Sequence, residues 1–156
     1  MTIEISKIAP SFNAICDDET NIELSELRGK NVVLYFYPKD DTPGCTIEAQ
    51  DFTKNIDKFM ALDAVILGVS KDSVKKHCKF IEKYNLAFNL ISDEDKEVCS
   101  KYEVLKEKSM FGKKYIGIDR STFIIDKKGN IAHIWRGVKV NGHVDEILEK
   151  LKEIEG

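Results

Sequence analysis

The chain has 156 residues, the length of one domain able to bury a single substantial core. Its 24 Lys and Arg are interspersed with 27 Asp and Glu, and Lys75-Lys76 and Lys113-Lys114 are pairs rather than a patch, which argues against a nucleic-acid partner. No apolar stretch approaches membrane-spanning length, and Glu4 and Lys7 interrupt the start where a secretion signal needs an apolar run, so a cytoplasmic chain without a membrane partner is expected.

Residues 12–24 read as a polar-tipped hairpin turning at Asp17–Asn21, and Ser25 as the cap of a short helical turn ending at Gly29. The run Val32–Tyr37 is β-branched and aromatic and bounded by turn residues, the pattern of a buried strand. A helix follows from the Pro43-Gly44-Cys45 turn to Leu62, with apolar residues at Ile47, Phe52, Ile56, Phe59 and Met60. Ala64–Val69 is a second buried strand, and two such strands separated by a helix imply a parallel crossover. The next helix runs from Ser73 to Tyr84 with Asp72 as its cap, then a short strand at Asn89–Ile91 and a helix over Glu94–Tyr102. Lys106–Asp119 shows no period and contains Gly112 and Gly117, so it reads as a long loop, with Met110 and Phe111 free to line a pocket or fold back. Strands at Ser121–Asp126 and Ile131–Arg136 are joined by Lys127-Lys128-Gly129-Asn130, a hairpin turn. His143–Ile154 closes the chain as an amphipathic helix. The pattern supports an α/β chain, and a single domain over residues 1–156 without linker or repeat is expected.

Four widely spaced cysteines, Cys16, Cys45, Cys78 and Cys99, form no C-x-x-C and no Cys/His spacing suited to zinc. In a reducing compartment any disulfide among them is expected to be transient and catalytic. Cys45 stands apart. It follows a Pro-Lys-Asp-Asp-Thr-Pro-Gly turn at a strand-to-helix junction, where free backbone N–H groups and the helix dipole favour a thiolate. The plainer reading, a small buried hydrophobe, fits poorly with so turn-rich a setting. By position alone Thr42 is a helix N-cap, Pro43 a first-turn proline and Pro38 a strand terminator. Adjacent helical residues point about 100° apart, which argues against His77 activating Cys78, while His133 and His143 read as ordinary strand and surface residues.

The pattern Pro38-x-x-x-Thr42-x-x-Cys45 resembles the active-site signature of the peroxiredoxins. Phe36–Lys39 and Thr42–Thr46 are most similar to the bacterioferritin comigratory protein subgroup. Lys7–Phe12, Gly68–Asp72 and Arg120–Asp126 extend the likeness along nearly the whole chain. The resemblance implies a thioredoxin-like fold with an N-terminal β-hairpin extension. It also implies a peroxidase that reduces hydrogen peroxide or organic hydroperoxides without metal, haem or flavin. In that reading Cys45 is the nucleophile, Thr42 and Arg120 stabilise the transition state, and Pro38 shields the sulfur. Thioredoxin or a similar thiol supplies the electrons, and the chain is a monomer or weak homodimer. Residue spacing alone gives no reason to prefer Arg120 over Arg28 or Arg136.

The chain departs from the subgroup in one respect. Many members carry a resolving cysteine five positions after the first, where this chain has Gln50. A second arrangement puts the resolver in the following helix, at a position aligned with Ile81, about one turn beyond Cys78. Cys78 is therefore a resolving candidate. Val74, Cys78 and Ile81 also share one apolar helix face, where a cysteine would simply pack. A one-cysteine cycle with an external thiol is the remaining course. The rival functions are a thiol–disulfide oxidoreductase of the same fold, disfavoured by the missing C-x-x-C, and a non-catalytic holdase or interaction module.

Overall fold

The computed structural model describes residues 3–155. Its elements in chain order are β1 (Asn13–Cys16), β2 (Asn21–Glu23), a 3-10 turn (Leu24–Leu27), β3 (Asn31–Phe36), α1 (Pro43–Lys54), α2 (Ile56–Ala61), β4 (Ala64–Ser70), α3 (Val74–Tyr84), β5 (Asn89–Ser92), α4 (Glu97–Lys101), β6 (Leu105–Met110), β7 (Lys113–Ile118), β8 (Ser121–Ile125), β9 (Ile131–Trp135) and α5 (His143–Glu155). Seven strands form one sheet in the order β2-β1-β5-β4-β3-β8-β9. The centre, β5-β4-β3, is parallel, β8 and β9 add antiparallel on one side, and the N-terminal hairpin adds antiparallel through β1 on the other. This is the thioredoxin-like arrangement with its hairpin extension.

Side-chain alternation on the buried strands divides the interior into two cores. Val33, Tyr35, Ile66, Leu90 and Ile124 face one, which is covered by α1, α2, α3 and α5 through Phe52, Phe59, Phe80 and Leu148. Val32, Leu34, Phe36, Leu67, Ile91 and Phe123 face the other, closed by Phe12, α4 and Tyr102.

Several sequence expectations need correction. Lys106–Asp119 is a hairpin, not a loop: β6 and β7 pair antiparallel outside the main sheet, turning through Phe111 and Gly112, both at positive φ. Most of its side chains are exposed on both faces, Phe111 at 98 %, so no buried face imposed an alternating pattern on the sequence. The helix expected to reach Leu62 breaks at Asn55, whose Nδ2 donates to the Asp51 carbonyl at 2.8 Å. Ile47 and Met60 of the expected apolar face are exposed. Asp72 is not the cap of α3; Ser73 is, accepting from the Lys76 N–H, while Asp72 is buried. On α3 the fully buried residues are His77 and Phe80, so the inward stripe is rotated by about one residue from Val74, Cys78 and Ile81, which are half-buried. The helix expected over Glu94–Tyr102 is shorter, and His143 lies buried at the start of α5 rather than on the surface.

Gly68, in the middle of β4, marks the tightest approach within the sheet. A Cβ there would lie 2.7 Å from Leu90 Cδ2 and 2.9 Å from Tyr35 Cζ, both side chains fully buried on the flanking strands. Gly68→Ala is expected to destabilise the fold by about 1–3 kcal/mol, as overpacking of a filled core does. Urea denaturation of the variant beside the wild type measures this.

Candidate active site

Cys45 lies in the first turn of α1, just beyond the C-terminal end of β3. The turn places Pro43 at the first helical position, where its lack of an N–H costs nothing. The Gly44 and Cys45 amides fall among the donors that an α-helix leaves without intrahelical partners, and Thr46 N–H is the first to close a bond, to the Thr42 carbonyl at 2.9 Å. Cys45 is 1 % exposed and belongs to the core covered by α1.

Arg120 reaches this sulfur from the residue before β8. Its Nη2 donates to Cys45 Sγ at 3.3 Å and its Nη1 to Glu48 Oε1 at 2.7 Å, so the guanidinium bridges two residues of α1. Its own backbone is fixed, the carbonyl accepting from the Val138 N–H at 2.9 Å. Gly44 makes room for the fork, since a Cβ there would come within 3.3 Å of Nη2. Arg28, exposed, donates to the Lys128 carbonyl, and Arg136 to the carbonyls of Tyr102 and Glu103; the structure thus separates three arginines that spacing could not.

Glu48 is the site residue that sequence reading missed. Its side chain is 1 % exposed, and burial pushes its carboxyl up to about 7 against the opposing pull of Arg120. Its second oxygen, Oε2, and the hydroxyl of Tyr35 are buried without hydrogen-bond partners among the described residues. Burial, and after it the nearby charges of Glu48 and Cys45, hold the Tyr35 phenol well above its ordinary range. The available signal was spacing: Glu48 follows Cys45 by three residues and so shares its helix face. Lys108 of β6 donates from Nζ to the Ile118 carbonyl at 2.6 Å, and burial lowers its pKa.

Thr42 occupies the N-cap position, but its side chain makes no cap bond; Oγ1 donates to the Lys39 carbonyl at 2.9 Å instead. Pro38, two residues beyond β3, is half-buried. Cys78 is half-buried on α3, its Sγ donating to the Asp17 carbonyl at 3.0 Å, and burial followed by Asp17 raises its pKa. Cys16 and Cys99 belong to the opposite core, across the sheet. Burial raises the first to about 12 and pushes the second higher still. All four cysteines are free.

The AhpC/TSA family profile matches residues 5–134. The peroxiredoxin Bcp of Bacillus subtilis is 51 % identical over 154 residues, covering 99 % of this chain and 98 % of that protein. Its Escherichia coli K12 counterpart is 40 % identical over 151 residues, with 97 % of each chain covered. The Xanthomonas campestris bacterioferritin comigratory protein, whose trapped intermediate and ligand complexes concern alkyl peroxide reduction, superposes with a TM-score of 0.91 at 41 % identity over 99 % of both chains. A cysteine-to-serine mutant of Xylella fastidiosa PrxQ gives 0.94 at 39 % identity, covering 100 % of this chain and 99 % of that one. The chain belongs to the AhpC/TSA family and, within it, to the bacterioferritin comigratory protein group of peroxiredoxins, the thiol-dependent peroxidases.

Proposed function

We propose that Cys45 is the peroxidatic nucleophile of this peroxidase, acting on hydrogen peroxide and on organic hydroperoxides such as alkyl peroxides. The bridge from Arg120 to both Cys45 Sγ and Glu48 carries the reading. The Cys45 thiolate attacks one peroxide oxygen, an S–O bond forms as the O–O bond breaks, and the departing alkoxide or hydroxide takes up a proton as alcohol or water. Arg120 and the free amides of the first helical turn face the charge that develops on the oxygens. Thr42 Oγ1, its hydrogen turned to the Lys39 carbonyl, offers lone pairs to the hydroperoxide O–H. Pro38 walls the sulfur from water. Residues 1–156 act as a single domain, a reading supported by the one sheet that both cores share.

The sulfenic acid left on Cys45 is resolved by Cys78, whose thiol attacks the oxidised sulfur and displaces water to give a Cys45–Cys78 disulfide. Thioredoxin or a similar dithiol then regenerates both cysteines by exchange. Cys78 is favoured because it is half-buried, whereas Cys16 and Cys99 are sealed in the opposite core. Both partners sit in regular helices, and a disulfide needs Cα atoms about 4.4–6.8 Å apart with converging Cβ atoms, so local unwinding around Cys45 and Cys78 accompanies the step.

Cys45→Ser is expected to abolish peroxide turnover and keep the fold, while Cys16→Ser and Cys99→Ser retain turnover; substantial activity in Cys45→Ser would remove the central assignment. Arg120→Ala is expected to slow sulfenic acid formation on the order of 100- to 1,000-fold, as loss of one positioned donor does. Arg120→Lys, which lacks the planar fork, should fail to restore it. Stopped-flow single-turnover kinetics with hydrogen peroxide read both. Peptide mapping after one equivalent of peroxide should find a Cys45–Cys78 peptide in the wild type, and Cys78→Ser should lose thioredoxin-linked turnover. A lasting sulfenic acid in the wild type, or equal turnover in both proteins, would leave a one-cysteine enzyme.

A further inference from the structure

A second buried polar cluster lies at the C-terminal ends of β3, β4 and β5, apart from the thiol. His77 of α3 is fully buried, its Nδ1 2.6 Å from Asp40 Oδ2 and its Nε2 3.0 Å from the Ile91 carbonyl. A carbonyl only accepts, so Nε2 carries a hydrogen, and a single proton is shared at Nδ1 between the imidazole and the Asp40 carboxyl. The Tyr37 hydroxyl donates to Asp40 Oδ1 at 2.5 Å, and burial holds that phenol in its protonated, donating form. The Asp40 N–H donates to Asp72 Oδ2 at 2.8 Å, and Ser70 Oγ donates to the same oxygen at 2.7 Å. Ser92 Oγ closes the set on the Asp72 carbonyl. Asp40, Asp72 and His77 bring their ligand-type atoms within 4.8 Å of one another, but these atoms already serve hydrogen bonds inside the cluster. The arrangement is a relay, not a cation cage.

Asp40 belongs to the segment between β3 and α1 that presents Pro38, Thr42 and the Cys45 turn. The next residue, Asp41, adopts φ 58°, a left-handed conformation that aspartate tolerates better than most non-glycine residues. α3 fixes the segment a second time, Lys83 Nζ donating to Asp41 Oδ2 at 2.8 Å and the Tyr84 hydroxyl to Oδ1 at 2.7 Å. Thr42 then turns its hydroxyl back onto the Lys39 carbonyl, inside the same segment. The loop that sets Thr42 is therefore fastened from beneath by His77 and from outside by the end of α3.

We propose that Asp40 and His77 are positioning residues for the peroxide step: their buried pair, braced by Tyr37 and Asp72, fixes the Pro38–Thr42 segment so that Thr42 and the first turn of α1 meet the hydroperoxide in reactive register. This rests on the assignment of Cys45 and Thr42 above. Neither residue touches the reacting atoms. Alkylation of Cys45 by chloroacetamide requires an available thiolate but not the peroxide-binding register, so the two reactions separate positioning from folding.

The test compares Asp40→Ala, Asp40→Asn, His77→Ala and Thr42→Val with the wild type, measuring single-turnover reaction with hydrogen peroxide and Cys45 alkylation by chloroacetamide on each protein. Asp40→Ala and His77→Ala are expected to slow the peroxide reaction at least tenfold while alkylation changes less than about twofold. Asn at position 40 retains an acceptor for the Tyr37 hydroxyl and a donor for a neutral His77 Nδ1, so Asp40→Asn should recover most of the loss. A peroxide rate unchanged in both alanine variants while Thr42→Val is slow overturns the relay alone. Equal falls in the peroxide and alkylation rates overturn it as well, since they report lost fold. A wild-type peroxide rate in Thr42→Val overturns the Thr42 assignment beneath it.

Discussion

The guanidinium of Arg120 holds the site together, because it is a charge taken mostly out of water that must find its partners inside the protein. Glu48 Oε1 accepts from it on one side and the sulfur of Cys45 accepts from it on the other. Removing either partner from such a buried pair leaves the other charge uncompensated, which is costly in a low-dielectric interior. Much of the topology serves this meeting. β8 must lie beside β3, with Phe36 opposite Ser121, for the residue preceding β8 to arrive where β3 hands the chain to α1. A Cβ at Gly44 would crowd the fork at 3.3 Å from Nη2. Cys45 and Glu48 must be three apart on one helix for both nitrogens to be used at once.

The sheet also sorts the cysteines by chemistry. Cys45 and the helices that carry it lie on one face, while Cys16 and Cys99 lie on the other among aromatic and aliphatic side chains. Burial in that second core raises both thiols far above the range in which a thiolate forms at neutral pH, so they pack as small hydrophobes. Cys45 instead combines burial with a cation and a helix start. A seven-stranded layer thus gives Cys45 surroundings different from those of Cys16 and Cys99.

The segment between β3 and α1 is held from several directions at once. Its backbone is bonded to Asp72, its side chains to α3, and Asp41 within it adopts a left-handed conformation. α3, which contributes His77, Lys83 and Tyr84 to this hold, also carries Cys78. Order in the loop and order in that helix are consequently linked. The proposed cycle, rigid for the peroxide step and locally open for resolution, would draw on a fastening made of hydrogen bonds that can release together.

Sequence alone determined what local chemistry can write. The buried strands at 32–37 and 64–69 were legible because both their faces are covered, and the Thr42–Cys45 turn because proline, glycine and a capping-type residue specify a helix start wherever they occur. The likeness carried by Pro38, Thr42, Cys45 and Arg120 pointed to the family and to the thiol chemistry. What only the tertiary structure decided depends on groups far apart in the chain. Nothing local distinguishes Arg120 from Arg28 or Arg136; it is selected because β8 inserts beside β3. The β6–β7 ribbon left no period because solvent reaches both its faces. His143 looked like a surface residue until the packing of α5 brought its Nε2 within 2.8 Å of Thr122. Glu48 and His77 read as ordinary helix residues, since a buried polar side chain becomes intelligible only when its partner, 72 residues away for Glu48 and 37 for His77, is in place.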